Sequence, residues 1–244
     1  MNYKAVLQYD GTRYRGWQTQ GNTDNTIQGK LETLLTKMAG KPVEVNGSGR
    51  TDAGVHAAGQ VISFRCKTKE SPEEICRYMN EYLPEDIAVL TVEEAAPRFH
   101  ARLNAVWKTY VYRIWNAPVK NVFRRRFTTW IQKPLDLDAM EQAATLLCGT
   151  HDYRAFCSQK KFKKSTVRTI EKIEIGKMGQ EIRISYTGDG FLYHMVRILT
   201  GTLVEVGLGL RKPEEMTEIL EGQDRTKAGR LMPPEGLTLE SVEY

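Results

Sequence analysis

The chain has 244 residues, 41% hydrophobic and 27% charged, which suits a water-soluble globular protein of one large or two smaller domains and excludes a disordered or fibrous chain. No apolar run approaches the ~18 residues of a membrane span, and the opening Met1 to Asp10 lacks the apolar block of an export signal. The formal charge of +5 is a weak pointer to an acidic partner.

Taken in order, Tyr3 to Tyr9 alternates apolar and polar residues and predicts a strand, ended by a turn at Asp10-Gly11-Thr12. A loop rich in stacking and hydrogen-bonding groups follows, with Tyr14, Trp17 and two glutamines among Arg13, Arg15 and Gly16. Thr26 is placed to cap a helix carrying Ile27, Leu31, Leu34, Leu35 and Met38 at helical spacing, with Gly40 and Pro42 at its end. Short strands are expected at Val43 to Val45 and Val61 to Phe64, either side of a glycine-rich stretch from Gly47 to Ala57. Ser71-Pro72 starts a second helix through Tyr82, and Ile87 to Val92 is a strand. The second half opens with a strand at Trp107 to Trp115. A helix follows from Asp136 or Asp138 to Leu147, then a basic loop, then strands at Thr166 to Ile175 and Glu181 to Thr187. An apolar helix over Phe191 to Val206, a small helix near Pro213 to Leu220 and a strand at Leu237 to Val242 complete it.

Each half thus has the element order of a ferredoxin-like or RNA-recognition-motif-like unit, divided at 1–104 and 105–244. The expected fold class is α+β, with two such units forming a pseudo-twofold antiparallel sheet, helices on one face and a central cleft as the address of the active site.

Charge is unevenly spread. Residues 1–104 hold 13 basic and 13 acidic side chains, residues 105–172 hold 14 against 5, and residues 173–244 hold 8 against 12. The excess gathers at Arg124, Arg125 and Arg126 and at Lys160, Lys161, Lys163 and Lys164, a concentration that fits a phosphate backbone. Cys66, Cys76, Cys148 and Cys157 form no C-x-x-C pair and, without an export signal, are expected as free thiols in a reducing cytoplasm. The spacing of Cys148, His151 and Cys157 fits no common zinc pattern.

The stretch from Gly47 to Ala57 surrounds Asp52 with small residues, and Glu44 is the only other carboxylate nearby. A lone carboxylate cannot work as a glycosidase pair, but it can be a nucleophile or a general base. An arginine partner would favour its ionised, nucleophilic form. Arg50 is close in sequence, and Arg197, on an apolar helix, needs a buried partner of its own; a pair with Asp52 satisfies both. Tyr110 and Tyr112 suit a strand core by propensity, yet an aromatic beside a basic surface can also stack on a base. His56 and His194 have no serine or cysteine nucleophile at hand, and no phosphate-binding glycine motif calls for a nucleotide cofactor.

The run Gly49-Arg50-Thr51-Asp52-Ala53-Gly54-Val55-His56-Ala57 resembles the signature of the tRNA pseudouridine synthase A family. Further blocks are similar in the same order: Tyr9 to Thr12 with Gly16-Trp17-Gln18, Phe99 to Arg102, Lys108 to Tyr112, Gly149 to Asp152 and Phe191 to Arg197. Ile198-Leu199-Thr200 and Leu237-Thr238-Leu239 depart from the pattern. The resemblance implies the pseudouridine synthase fold and isomerisation of uridine to pseudouridine at positions 38, 39 and/or 40 of the tRNA anticodon stem-loop. It implies Asp52 as the nucleophile, Tyr110 stacked on the target uracil and Arg197 paired with Asp52; Tyr110, Arg50 and Arg197 are the expected substrate-binding residues, and Arg102 is expected with the basic residues above as a tRNA backbone contact. It also implies no metal or organic cofactor and a homodimer. The rival reading is a non-catalytic RNA-binding protein of tandem RNA-recognition-like units.

Overall fold

A computed structural model describes residues 1–159 and 161–244. The chain is α+β and divides into two compact units, Met1–Val106 with Thr238–Tyr244, and Trp107–Leu237.

The first unit contains strands β1 (Asn2–Tyr9), β2 (Val45–Gly47), β3 (His56–Arg65) and β4 (Ile87–Ala95), with helices α1 (Ile27–Ala39) and α2 (Pro72–Tyr82). The element order is the expected one. β1 lies antiparallel between β3 and β4, pairing Tyr3 with Phe64 and with Glu94, and β2 pairs antiparallel with the far half of β3. That order, β4-β1-β3-β2, is a ferredoxin-like arrangement. Thr26 caps α1 by accepting from the Gly29 amide at 3.2 Å. Ser71 and Glu74 close a capping box on α2, with Pro72 in its first turn. The apolar stripes Ile27, Leu31, Leu34, Leu35 on α1 and Ile75, Met79 on α2 are buried, as their spacing predicts.

The terminal segment belongs with this first unit. β10 (Leu237–Glu243) runs parallel to the start of β3, with Thr238 opposite His56 and Leu239 opposite Ala57. β3 is longer than its apolar core predicts, because two partners complete its backbone ladder: β10 at its start and β2 at its end.

The second unit is built on β5 (Trp107–Asn116), β9 (Glu181–Gly188), β8 (Val167–Met178) and β7 (Gly149–Asp152) in that antiparallel order, with β6 (Thr129–Ile131) parallel to β5. Its helices are α3 (Leu137–Leu146), α4 (Met195–Gly207) and α5 (Glu215–Gly222). Asp136 is the cap of α3, accepting from the Ala139 amide at 3.0 Å. α4 does not begin at Phe191 as its apolar run predicts. Residues 191–194 turn instead, and His194 takes φ 66° immediately before the first helical residue. The ring of Phe191 lies edge-on to Tyr110.

Four buried tyrosines tie stability to pH. Burial pushes Tyr9 up to about 12, and burial likewise raises Tyr112, Tyr153 and Tyr186. Unfolded tyrosines ionise near pH ~10, so above that the unfolded chain releases protons that the folded chain keeps. Stability is therefore complete below about pH 10 and declines as pH rises toward 12, by about 1.4 kcal/mol per pH unit for each tyrosine still neutral in the fold. The melting temperature is expected to be flat up to about pH 9.5 and to fall steeply above about pH 10. Equal melting temperatures at about pH 9 and pH 11 would contradict this.

Candidate active site

Asp52 sits on the turn between β2 and β3 in the first unit, and the backbone around it is fastened at several points. The Ser48 amide donates to the Val61 carbonyl at 2.8 Å, and the Ser48 hydroxyl donates to Gln60 Oε1 at 2.6 Å. Gln60 Nε2 in turn donates to the Gly49 carbonyl at 3.0 Å. Ser48 and Gln60 are both buried, so these bonds are the ones that keep their polar atoms satisfied away from water. The Thr51 carbonyl accepts from the Trp17 amide at 3.0 Å, and the Thr51 hydroxyl bonds to the buried Tyr9 hydroxyl at 2.8 Å. The Asp52 carbonyl accepts from the Val55 amide at 3.1 Å, closing a tight turn through Gly54 at φ 80°. Asp52 is half-buried and Arg50, on the same turn, is exposed.

The N-terminal block lies directly against this turn. A Cβ on Gly16, which has φ 92°, would stand 2.8 Å from the Thr51 carbonyl oxygen and 3.1 Å from the Asp52 carbonyl carbon. One on Gly11 would overlap the Val55 carbonyl, and one on Gly47 would fall 2.5 Å from the Trp17 ring. Glycine at these places lets two backbones approach within a side chain's width. His56 belongs to the same scaffold: it is buried, and its Nδ1 accepts from the Gly11 amide at 3.0 Å. The histidine in the motif therefore fastens the N-terminal block to the start of β3.

In the second unit, Tyr110 stands on β5 opposite Tyr186 of β9. Its side chain is 8% exposed and its ring meets Phe191 edge-on at 5.2 Å. Arg197 lies in the first turn of α4 and is also 8% exposed. Its Nε donates to the Met232 carbonyl at 2.7 Å, while the Met232 amide donates to the Arg197 carbonyl at 3.3 Å. The guanidinium is thus oriented by a backbone oxygen, which answers part of the cost of burying a charge. The segment bearing Met232 reaches α4 through small residues. A Cβ on Gly201 would overlap the Arg230 carbonyl, and the Gly229 amide donates to Thr202 Oγ1 at 2.9 Å. His194, the second histidine, bonds through Nδ1 to Ser158 Oγ at 2.9 Å under the ring of Tyr193. A bulky residue with positive φ is a strained position, and here it sets the entry of the chain into α4.

Arg50 and Asp52 are therefore together on one turn of the first unit, and Tyr110 and Arg197 are held on β5 and α4 of the second. Comparison with known proteins decides what this arrangement belongs to. The model of the tRNA pseudouridine synthase family matches residues 5–104 and 143–244. The chain belongs to the tRNA pseudouridine synthase family. Among relatives, it is 48% identical over 243 residues to tRNA pseudouridine synthase A of Bacillus sp. (strain KSM-64), covering 100% of this chain and 99% of that one. It is 45% identical over 243 residues to tRNA pseudouridine synthase A 2 of Bacillus anthracis, with the same coverage. With tRNA pseudouridine synthase A of Brevibacillus brevis it shares 46% identity over 241 residues, covering 99% and 98% of the two chains. The family is one of isomerases, and this synthase is an enzyme of that class.

The basic residues of the synthase differ in how far they are already engaged. Arg124 Nη1 lies 2.8 Å from Glu181 Oε2, and Glu181, only 3% exposed, also holds Arg183 Nε at 2.7 Å. Arg125, Arg126, Lys161, Lys163 and Lys164 are exposed, as is Arg102 in the first unit. Lys160 lies outside the described residues. Sequence reasoning did not single out Gly11, Gly16 and Met232 as site supports. The glycines stood beside an aromatic block that could equally have been a binding loop. Met232 acts through its backbone, for which side-chain chemistry carries no signal; the rigid Pro233-Pro234 pair after it was the one available hint.

Proposed function

We propose that this synthase converts uridine to pseudouridine at positions 38, 39 and/or 40 of the tRNA anticodon stem-loop, with Asp52 as the nucleophile. The observation that carries the reading is the immobilised turn. A lone carboxylate is presented on backbone tied down by Trp17, Tyr9 and Gln60, against glycines that let the N-terminal block pack directly on it. A protein that only bound RNA would have no use for such rigid presentation of one acid.

The reaction is balanced without a co-reactant. The N1–C1′ glycosidic bond breaks, the uracil turns over, C5 bonds to C1′, C5 gives up its proton and N1 gains one. Asp52 holds the displaced ribose or base as a covalent adduct between those steps, and water takes no part in the product. Tyr110 stacks on the uracil once it has left its own stack, and its phenol is the group available for the C5 proton. Arg197 supplies the positive charge that favours the ionised nucleophile, and Arg50 binds the substrate. Arg102, Arg124, Arg125, Arg126, Lys160, Lys161, Lys163 and Lys164 meet tRNA phosphates. Within the same proposal, residues 1–104 carry the catalytic turn, residues 105–244 carry the basic insertions, and the enzyme works as a cytoplasmic homodimer.

The test is to incubate unmodified tRNA transcripts with the purified chain and map pseudouridine chemically. New pseudouridine confined to positions 38–40 is expected. Its absence from the anticodon arm would leave the RNA-binding reading in its place.

A further inference from the structure

The turn at 121–127 in the second unit exposes more apolar surface than any solvated loop needs. Phe123 is 94% exposed, with Val119 75% and Val122 59% exposed beside it. The chain does not leave the ring outside for want of order. Asn121 Oδ1 accepts from the amides of Phe123 and Arg124 at 3.1 and 3.2 Å, and the Arg124 carbonyl accepts from the Phe127 amide at 2.9 Å and from Thr128 Oγ1 at 3.0 Å. The Arg124 side chain is clamped on the buried Glu181 carboxylate, and Arg125 Nη1 donates to the Val122 carbonyl at 2.9 Å. A turn fastened this way holds an aromatic face in solvent at a fixed orientation.

The segment that carries it is of one sign. Residues 107–135 contain seven lysines and arginines and no aspartate or glutamate. A second copy of this chain placed here would bring the exposed Arg125 and Arg126 against their own copies, which opposes self-association. A single-stranded nucleic acid offers both phosphates to the exposed Arg125 and Arg126 and a π-face to the ring. We propose that Phe123 is a stacking platform for an unpaired base of the bound RNA, with Arg125 and Arg126 on the adjoining phosphates. The proposal rests on the tRNA reading for its ligand and adds an interaction made by a side chain that the chemistry does not require.

The experiment measures binding of the full chain to an unmodified tRNA transcript and to a blunt RNA duplex of similar length, each over a range of salt. F123A and F123L are expected to weaken tRNA binding roughly tenfold, and F123W to keep wild-type affinity, because the π-face and not apolar bulk binds the base. Duplex binding should change much less in all three. The slope of log affinity against log salt is expected to stay the same in F123A. In R125A/R126A it should fall by roughly 0.7–0.9 for each phosphate that the variant no longer neutralises. The proposal is overturned if F123L binds tRNA like the wild type, if tRNA and duplex affinities fall together, or if F123A sediments as a smaller species. Mapping pseudouridine in the same wild-type samples separates the two readings. Phe123-dependent binding without pseudouridine sinks only the enzyme assignment, and pseudouridine with Phe123-independent binding sinks only the stacking platform.

Discussion

Asp52→Asn is expected to abolish pseudouridine formation while leaving the fold and tRNA binding nearly intact. The amide keeps the volume and much of the hydrogen-bonding capacity of the carboxylate, and the backbone of the turn from Ser48 to Val55 stays fastened by its own amides and by Gln60 and Trp17. What disappears is the anionic oxygen that can form a bond to carbon, for which an amide is no substitute. Loss of a nucleophile from a preorganised site costs roughly 10⁴-fold or more in kcat, with binding and positioning left to provide the remainder. The check is single-turnover pseudouridine formation beside a tRNA binding isotherm and a melting curve for each protein. Pseudouridine made by the asparagine variant at even a tenth of the wild-type rate would remove Asp52 from the chemistry. Loss of binding together with loss of activity would make it a structural or recognition residue instead.

Gly11→Ala is expected to injure the same reaction from outside the motif. The added methyl would overlap the Val55 carbonyl, a backbone atom that cannot rotate away, so either the 3-10 turn at Gly11–Arg13 or the Asp52 turn must shift. The Gly11 amide also holds His56 at the start of β3, and that bond would lengthen with the shift. A displacement of about 1 Å in a positioned group is enough to lower a rate by roughly 10²-fold, and forcing one extra carbon into a filled site costs about 1–3 kcal/mol of stability. In a chain of this size that is a drop of several degrees in melting temperature. Gly21→Ala is the matched control, because among the described residues no atom outside its own chain neighbours lies within 4 Å of where its methyl would go. Equal turnover in the Gly11 and Gly21 variants would show that the N-terminal block does not position the nucleophile.

Much of the local structure was written into short-range chemistry. The caps at Thr26 and Ser71, the apolar spacing in α1 and the alternation in β1 and β5 depend on neighbours a few residues away, so they could be read directly, while the cap of α3 was narrowed to Asp136 or Asp138. The motif around Asp52 could be singled out for a related reason, since a lone acid among glycines is costly unless it is used. The start of α4 could not be placed, because apolar residues at 191–194 satisfy a helical pattern, yet the chain turns there with Phe191 edge-on to Tyr110 and His194 at φ 66°. Nor was it possible to see that the last strand returns to the first unit, lying parallel to His56 and Ala57 on β3. Strand pairing between residues so far apart depends on which edge is left open, which is a property of the assembled sheet.

The same division runs through the site. The family and the candidate groups were legible in the order of residues, because an acid, an aromatic and an arginine keep their chemistry wherever the backbone puts them. How those groups are held was settled by folding. Gly11 and Gly16 serve by having no side chain, Met232 serves through a carbonyl, and Phe123 matters because the turn that carries it is rigid. Each of those is a relation between backbone atoms brought together in space, and such relations exist only once the chain has folded.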